Sequence, residues 1–192
     1  MRVHIHGALF TAWMLLFLFQ SFLVARRRTP LHRRLGVAGV PLIVGMLMSG
    51  VWVAIAWARV DASATGSIEG MSRLVAVVIP LASVAMFALF AATGLLYRRR
   101  PHAHKRLMLL ATIALLPPAL GRISFLATRG PGAFFAVTCL FIVALAVYDY
   151  RVYRRVYPAS LWGGLLLALS FPARLAVGNT HLWNVFAQWL VR

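Results

Sequence analysis

The sequence predicts an all-α, polytopic membrane protein: six transmembrane helices arranged as repeated hairpins, followed by a C-terminal interfacial amphipathic helix. Three observations carry this. The 192 residues are 62% hydrophobic, with a mean hydropathy of +0.84, which is more apolar surface than a soluble domain of this size can bury. Six apolar runs, at about 7–25, 36–58, 73–97, 107–127, 133–150 and 159–177, are each near the roughly 18–25 residues that cross a bilayer as a helix. One polar segment occurs twice. Arg26-Arg27-Arg28-Thr29-Pro30-Leu31-His32-Arg33-Arg34-Leu35 aligns without gaps on Arg98-Arg99-Arg100-Pro101-His102-Ala103-His104-Lys105-Arg106-Leu107. Each copy joins two apolar runs, as in a duplicated helical hairpin. Helices are favoured over barrel strands because the runs are long and uniformly apolar, and a helix satisfies its own backbone hydrogen bonds in lipid.

The first run resembles a secretion signal, but its basic cluster follows the apolar stretch and no small-x-small cleavage site ends it. It reads as a retained helix with its N-terminus outside. Thr29-Pro30 and Arg100-Pro101 read as starts of the second and fourth helices, with proline in the first turn. The second helix carries Gly36, Gly39, Gly45, Ser49 and Gly50, a small-residue face suited to close packing. Gln20 in the first helix calls for an interhelical hydrogen bond. Pro41, Pro80, Pro117-Pro118 and Pro172 lie inside spans and predict kinks. The third hairpin turn, 151–158, is a worn copy of the repeat, with Tyr157 in the place of the histidine. After the sixth run, residues 180–191 form the interfacial helix. Leu182, Val185, Phe186 and Trp189 share one face, Asn184, Gln188 and Arg192 the other, and Asn179 is the expected N-cap. Trp52, Trp57, Trp183 and Trp189 would form an outer aromatic belt. The polar connections are too short for a second domain, so residues 1–192 read as one transmembrane domain.

A net charge of +17 would suggest a nucleic-acid partner, but the distribution of charge excludes that reading. Thirteen of the twenty basic residues fall in the turns 26–34, 98–106 and 151–155, after the first, third and fifth helices. The turns share one membrane face, which the positive-inside rule makes cytoplasmic, with both termini outside. The basic turns would attract anionic lipid. The single cysteine, Cys139, reads as a packing thiol.

The chemistry-bearing candidates are histidines and arginines. His32 and His104 hold matched positions at the inner face, and His4, His6 and His181 lie at the outer face. Facing imidazoles in a helical bundle are what haem iron requires, so haem b would be held by His32 and His104 near the inner surface or by His6 and His181 near the outer one. The competing reading is that these are interfacial side chains in polar turns. His4-x-His6 could also bind a surface metal ion, with only two ligands in view. Arg122 and Arg174 lie inside the outer thirds of the fourth and sixth helices, where charge is costly. Asp149, at the inner end of the fifth helix, is too distant to neutralise them. Asp61 and Glu69 lie in the outer loop on their side. Otherwise the anion is a lipid phosphate, a haem propionate or a quinone-like ligand, or the arginines snorkel to the interface. No span has a central acid, and the sequence contains no hydrolase triad, phosphate loop or CxxC pair, so a proton relay and the common catalytic sites are disfavoured.

His4-Ile5-His6-Gly7-x-x-Phe10-x-x-Trp13, His32-Arg33-Arg34-Leu35-Gly36 and His104-Lys105-Arg106-Leu107-Met108 resemble the motifs of a family of uncharacterised bacterial inner-membrane proteins. The resemblance covers most of the chain and implies a six-helix inner-membrane protein without implying an activity. More remotely, histidines at both faces of a small bundle are similar to the transmembrane cytochromes b, which pass electrons between two haems. The readings that follow are a haem-binding or redox-associated membrane protein, a non-catalytic accessory or assembly subunit of a respiratory or photosynthetic complex, and a small transporter or channel. In the second, the glycine-lined second helix and the C-terminal helix would be contact surfaces.

Overall fold

The computed structural model describes residues 2–59, 72–121 and 123–192, and every regular element among them is an α-helix. These are α1 (Arg2–Ala25), α2 (Thr29–Arg59), α3 (Arg73–Ala76), α4 (Val78–Leu96), α5 (Pro101–Ala114), α6 (Leu116–Leu120), α7 (Ser124–Ala127), α8 (Gly130–Tyr153), α9 (Pro158–Gly178) and α10 (His181–Val191). Five helical stretches, His4–Ala25, Thr29–Arg59, Leu74–Leu96, Gly132–Tyr153 and Pro158–Gly178, are long and apolar enough to cross a membrane. These five helices are consistent with a multi-pass membrane protein.

The expected span at 107–127 is not one helix. α5 ends at Ala114, and short α6 and α7 follow. The cause is Pro117-Pro118: two consecutive residues without N–H groups cannot donate into the preceding turn, and their rings crowd its carbonyls. The prolines are instead accommodated in the first turn of α6. At 14 residues, α5 rises about 21 Å, short of the ~30 Å hydrocarbon core.

The chain divides into two compact units, Met1–Ala56 and Trp57–Arg192. The first is the α1–α2 hairpin. Its turn is closed by Arg27 in the left-handed region at φ 57. Arg28 N–H donates to the Leu23 carbonyl at 2.8 Å and Arg27 N–H to that of Val24 at 3.0 Å, a Schellman termination of α1. The small-residue face of α2 is already occupied within this hairpin. A Cβ added at Gly39 would meet Leu16 at 3.4 Å, and one at Gly45 would meet Leu9 at 3.6 Å. That face is therefore spent on α1 and is not an outward contact surface. Gln20 lies beside Gly36, but the interhelical bond expected of it is absent: among the described residues its amide atoms are buried without a hydrogen-bond partner.

In the second unit α4, α5, α8 and α9 pack together. Gly163 and Gly164 are adjacent in α9 and open it toward three neighbours. A Cβ at Gly163 would lie 2.5 Å from Leu110 of α5 and 3.4 Å from Phe90 of α4, and one at Gly164 2.7 Å from Ile142 of α8. Without side chains there, the backbone of α9 approaches all three helices closely. α10 begins one residue later than expected. Thr180 is the N-cap, its Oγ1 accepting from Trp183 N–H at 3.2 Å, while Asn179 turns back, its Nδ2 donating to the Leu175 carbonyl that ends α9. α10 is tied down by the Trp183 indole, which donates to the Leu74 carbonyl at 3.1 Å, and by Arg59 Nε, which donates to the Val191 carbonyl at 3.1 Å. Ala187 is buried, whereas Leu182, Val185, Phe186 and Trp189 are exposed. The apolar face read from the sequence therefore points outward, away from the helices that anchor α10.

Candidate functional site

The polar centre of the second unit lies at its basic end. The last full turn of α8 carries Asp149, and the second turn of α5 carries Arg106. They meet as a buried ion pair, 0% and 1% exposed. Arg106 Nε donates to Asp149 Oδ2 at 2.8 Å, and Nη2 donates to Oδ1, completing a bidentate fork. Nη1 donates to the His102 carbonyl one turn back at 2.7 Å. From α9, Ser160 Oγ donates to Asp149 Oδ2 at 2.5 Å, and Tyr157 N–H donates to the same oxygen at 3.3 Å. The Tyr157 ring covers the guanidinium at 3.9 Å and stacks on the His102 ring at 4.8 Å. Lys105 Nζ donates to the Tyr153 hydroxyl at 2.9 Å beside this stack.

The arrangement is a clamp. One carboxylate joins α5, α8 and the start of α9, and its four bonds answer the desolvation of a charge buried near lipid. Such a carboxylate is poorly placed for proton transfer, since both oxygens are held by cationic or hydroxyl donors. Arg106 belongs to the repeated motif, yet sequence reasoning passed over it and attended to His104. The usable signal was charge balance: Asp149 is the only acid among the described residues, and it precedes the third basic turn, as the repeated motif follows its helices.

His104 is also a fastener. Its Nδ1 lies 2.7 Å from the Gly94 carbonyl, in the last turn of α4. A carbonyl only accepts, so this nitrogen carries a proton. The bond satisfies one of the carbonyls that α4 leaves without an intrahelical partner. In the first unit His6 Nδ1 lies 3.1 Å from Ser49 Oγ and its ring 4.7 Å from that of Phe10, joining α1 to α2. His32 lies in the first turn of α2 and His181 at the start of α10.

Neither unit brings two of the predicted haem ligands together. His6 and His32 stand at opposite ends of the first hairpin, as do His104 and His181 in the second unit. Each expected pair, His32 with His104 and His6 with His181, takes one member from each unit. Among the described residues no three His, Cys, Asp or Glu side chains cluster as a metal site. Arg122, Asp61 and Glu69 lie outside the described residues.

Arg174 is buried at 4% exposure, near the opposite end of α9. Its Nη1 donates to Ser83 Oγ of α4 at 3.0 Å and its Nη2 to Ser170 Oγ at 3.0 Å. The guanidinium lies 4.8 Å from the Phe171 ring centre, and Nε has no hydrogen-bond partner among the described residues. Asp149 does not serve it: Ser160, which touches Asp149, precedes Arg174 by fourteen residues of helix, about 21 Å. Snorkelling is not what the side chain does, because its head is turned inward onto Ser83. Two hydroxyls and an aromatic face are weak compensation for a buried guanidinium. Arg174→Met is therefore expected to leave unfolding stability in detergent within about 1 kcal/mol of the parent, the lost bonds being offset by relief of desolvation. A loss of about 3 kcal/mol or more in thermal or SDS unfolding would instead reveal a bound counter-anion.

Comparisons with protein-family models, with curated proteins and with solved structures find no match to this chain.

Proposed function

We propose that the protein is a non-catalytic accessory subunit of a larger complex in the bacterial inner membrane. In this reading α5, α6 and α7 together make a broken sixth crossing, both termini lie outside, and the basic turns lie in the cytoplasm, where anionic lipid neutralises most of their exposed arginines. The observation that carries the reading is the way the second unit spends its polar side chains. Asp149, Arg106, His104 and Arg174 each bond a neighbouring helix of the same unit, so they act as fasteners. Of the two contact surfaces that the sequence offered, the outward face of α10 remains, with Leu182 81% and Trp189 68% exposed. That face either rests in the membrane interface or meets a partner.

A second reading, a haem b protein, is favoured by the ring of His104. An imidazole held through Nδ1–H by a backbone carbonyl has its ring orientation fixed in the way axial ligands commonly do. Arg174 would not serve that haem, because it lies at the other end of the unit. Purification from the native membrane in mild detergent, followed by native electrophoresis and oxidised and dithionite-reduced spectra, separates the two. The expected result is migration well above the 21.2 kDa chain without stoichiometric haem. A free chain with a Soret band, and reduced α and β bands lost in His104→Ala, would overturn the accessory reading in favour of haem.

A further inference from the structure

The duplicated motif sets one arginine in two different situations. Arg34 is the sixth residue of α2 and Arg106 the sixth of α5, at matched positions of the repeat. Arg106 is sealed by Asp149, with α8 and α9 laid against α5. Arg34 is exposed, and residues 1–56 contain no aspartate or glutamate at all. The first hairpin therefore carries the cationic half of the clamp and lacks the carboxylate half.

The surface around Arg34 continues the comparison. Arg34, Val37, Pro41, Val44, Met48 and Trp52 recur at three- and four-residue spacing along α2 and are all exposed. They form one helical stripe with the arginine at its basic end. Val37 and Met48 are among its most open members, at 71% and 70%. Farther along, Leu47, Met48, Val51, Trp52 and Ile55 line a shallow groove whose surface is almost wholly apolar.

We infer that this stripe of α2 seats a transmembrane helix of a different protein, one that carries an aspartate or glutamate at its cytoplasmic end to pair with Arg34 as Asp149 pairs with Arg106. The inference rests on the accessory-subunit reading and names the surface and the partner's chemistry. Charge decides against a second copy of this chain. Its Asp149 is already held by Arg106, Ser160 and the Tyr157 N–H, and it is the one acid among the described residues. A lipid phosphate could neutralise Arg34 and acyl chains could cover the stripe, but the matched arginine of the second unit is sealed by a carboxylate from a packed helix, and that precedent favours a helix here.

The test uses the full chain in its native membrane, with a photoactivatable phenylalanine analogue at Val37 or Met48 and, separately, at Phe186 on α10. Adducts are identified by mass spectrometry. The expected result is a discrete adduct from positions 37 and 48 with another membrane protein whose crosslinked helix bears a carboxylate at its cytoplasmic end. Yield should fall about tenfold or more in Arg34→Ala, stay nearer the parent in Arg34→Lys, and recover when Arg34→Glu is combined with a basic residue at the partner's acid. Arg34 is exposed, so these variants retain the fold, which elution as a single species in detergent verifies. Adducts with lipid alone, with a second copy, or with a protein whose capture ignores Arg34 would each overturn the inference, as would no adduct. Protein adducts from Phe186 alone would leave the accessory reading standing while removing this surface. Absence of protein adducts at all three positions would remove both.

Discussion

Asp149→Ala is expected to destabilise the second unit by about 3–5 kcal/mol, the usual cost of stranding one member of a buried ion pair. The substitution removes the bidentate partner of Arg106 and strips Ser160 Oγ and the Tyr157 N–H of their acceptor. The guanidinium cannot relieve itself by losing a proton, because arginine stays charged in proteins. Arg106→Ala should cost less. The stranded carboxylate keeps Ser160 and the Tyr157 N–H, and it can become neutral by taking up a proton, which is the cheaper escape for a buried acid. The order of the two single variants is thus part of the expectation. A double variant, Arg106→Met with Asp149→Leu, removes both charges and fills similar volume, so it should recover much of the loss. Unfolding of the full chain in detergent, followed by the helical circular-dichroism signal, reads all three. If Asp149→Ala and Arg106→Ala both fell within about 1 kcal/mol of the parent, the clamp would be a solvated surface pair and not a buried one.

The contrast between what the sequence disclosed and what it hid has a physical basis. The class of protein and five helices of spanning length were legible because hydropathy summed over some twenty residues is a strong signal. Starts at Thr29 and Pro101 were legible because proline fits the first turn. The break after Ala114 was underestimated: a single proline kinks a membrane helix, but Pro117-Pro118 removes two consecutive donors. The site was less legible because it depends on which faces meet. His104 and Arg174 were found as residue types out of place. Their partners, the Gly94 carbonyl and Ser83, carry no sequence mark that would single them out. Arg106 was visible only through charge balance with Asp149. Likewise, the glycines of α2 drew attention as a contact surface, although α1 covers them, while the Gly163-Gly164 pair, on which three neighbouring helices converge, looked ordinary.

That pair supports the second large effect. Gly163→Val should destabilise the second unit by about 3 kcal/mol or more, at the upper end of overpacking costs. The first added carbon already lies 2.5 Å from Leu110 Cδ1 and 3.4 Å from Phe90 Cε1. Leu110 is 0% exposed and Phe90 3%, so neither can swing into lipid, and α9 must move away from α4 and α5. A β-branched residue adds two carbons to that clash and has little rotamer freedom with which to avoid it. Gly163→Ala should fall lower, at about 1–3 kcal/mol. Gly164→Ala should cost less again, although its Cβ would meet Ile142 Cγ2 at 2.7 Å, because Ile142 is only half-buried and can turn outward. Gly132→Ala is the counter-case within the same unit. Nothing lies within 4 Å of its Cβ position, so the better helix propensity of alanine should stabilise by up to about 1 kcal/mol. The sign should therefore reverse along the series, from the closed position at Gly163 to the open one at Gly132. If all four variants raised the detergent unfolding midpoint, helix propensity and not contact with neighbouring helices would govern these glycines, and the close approach of α9 would be wrong.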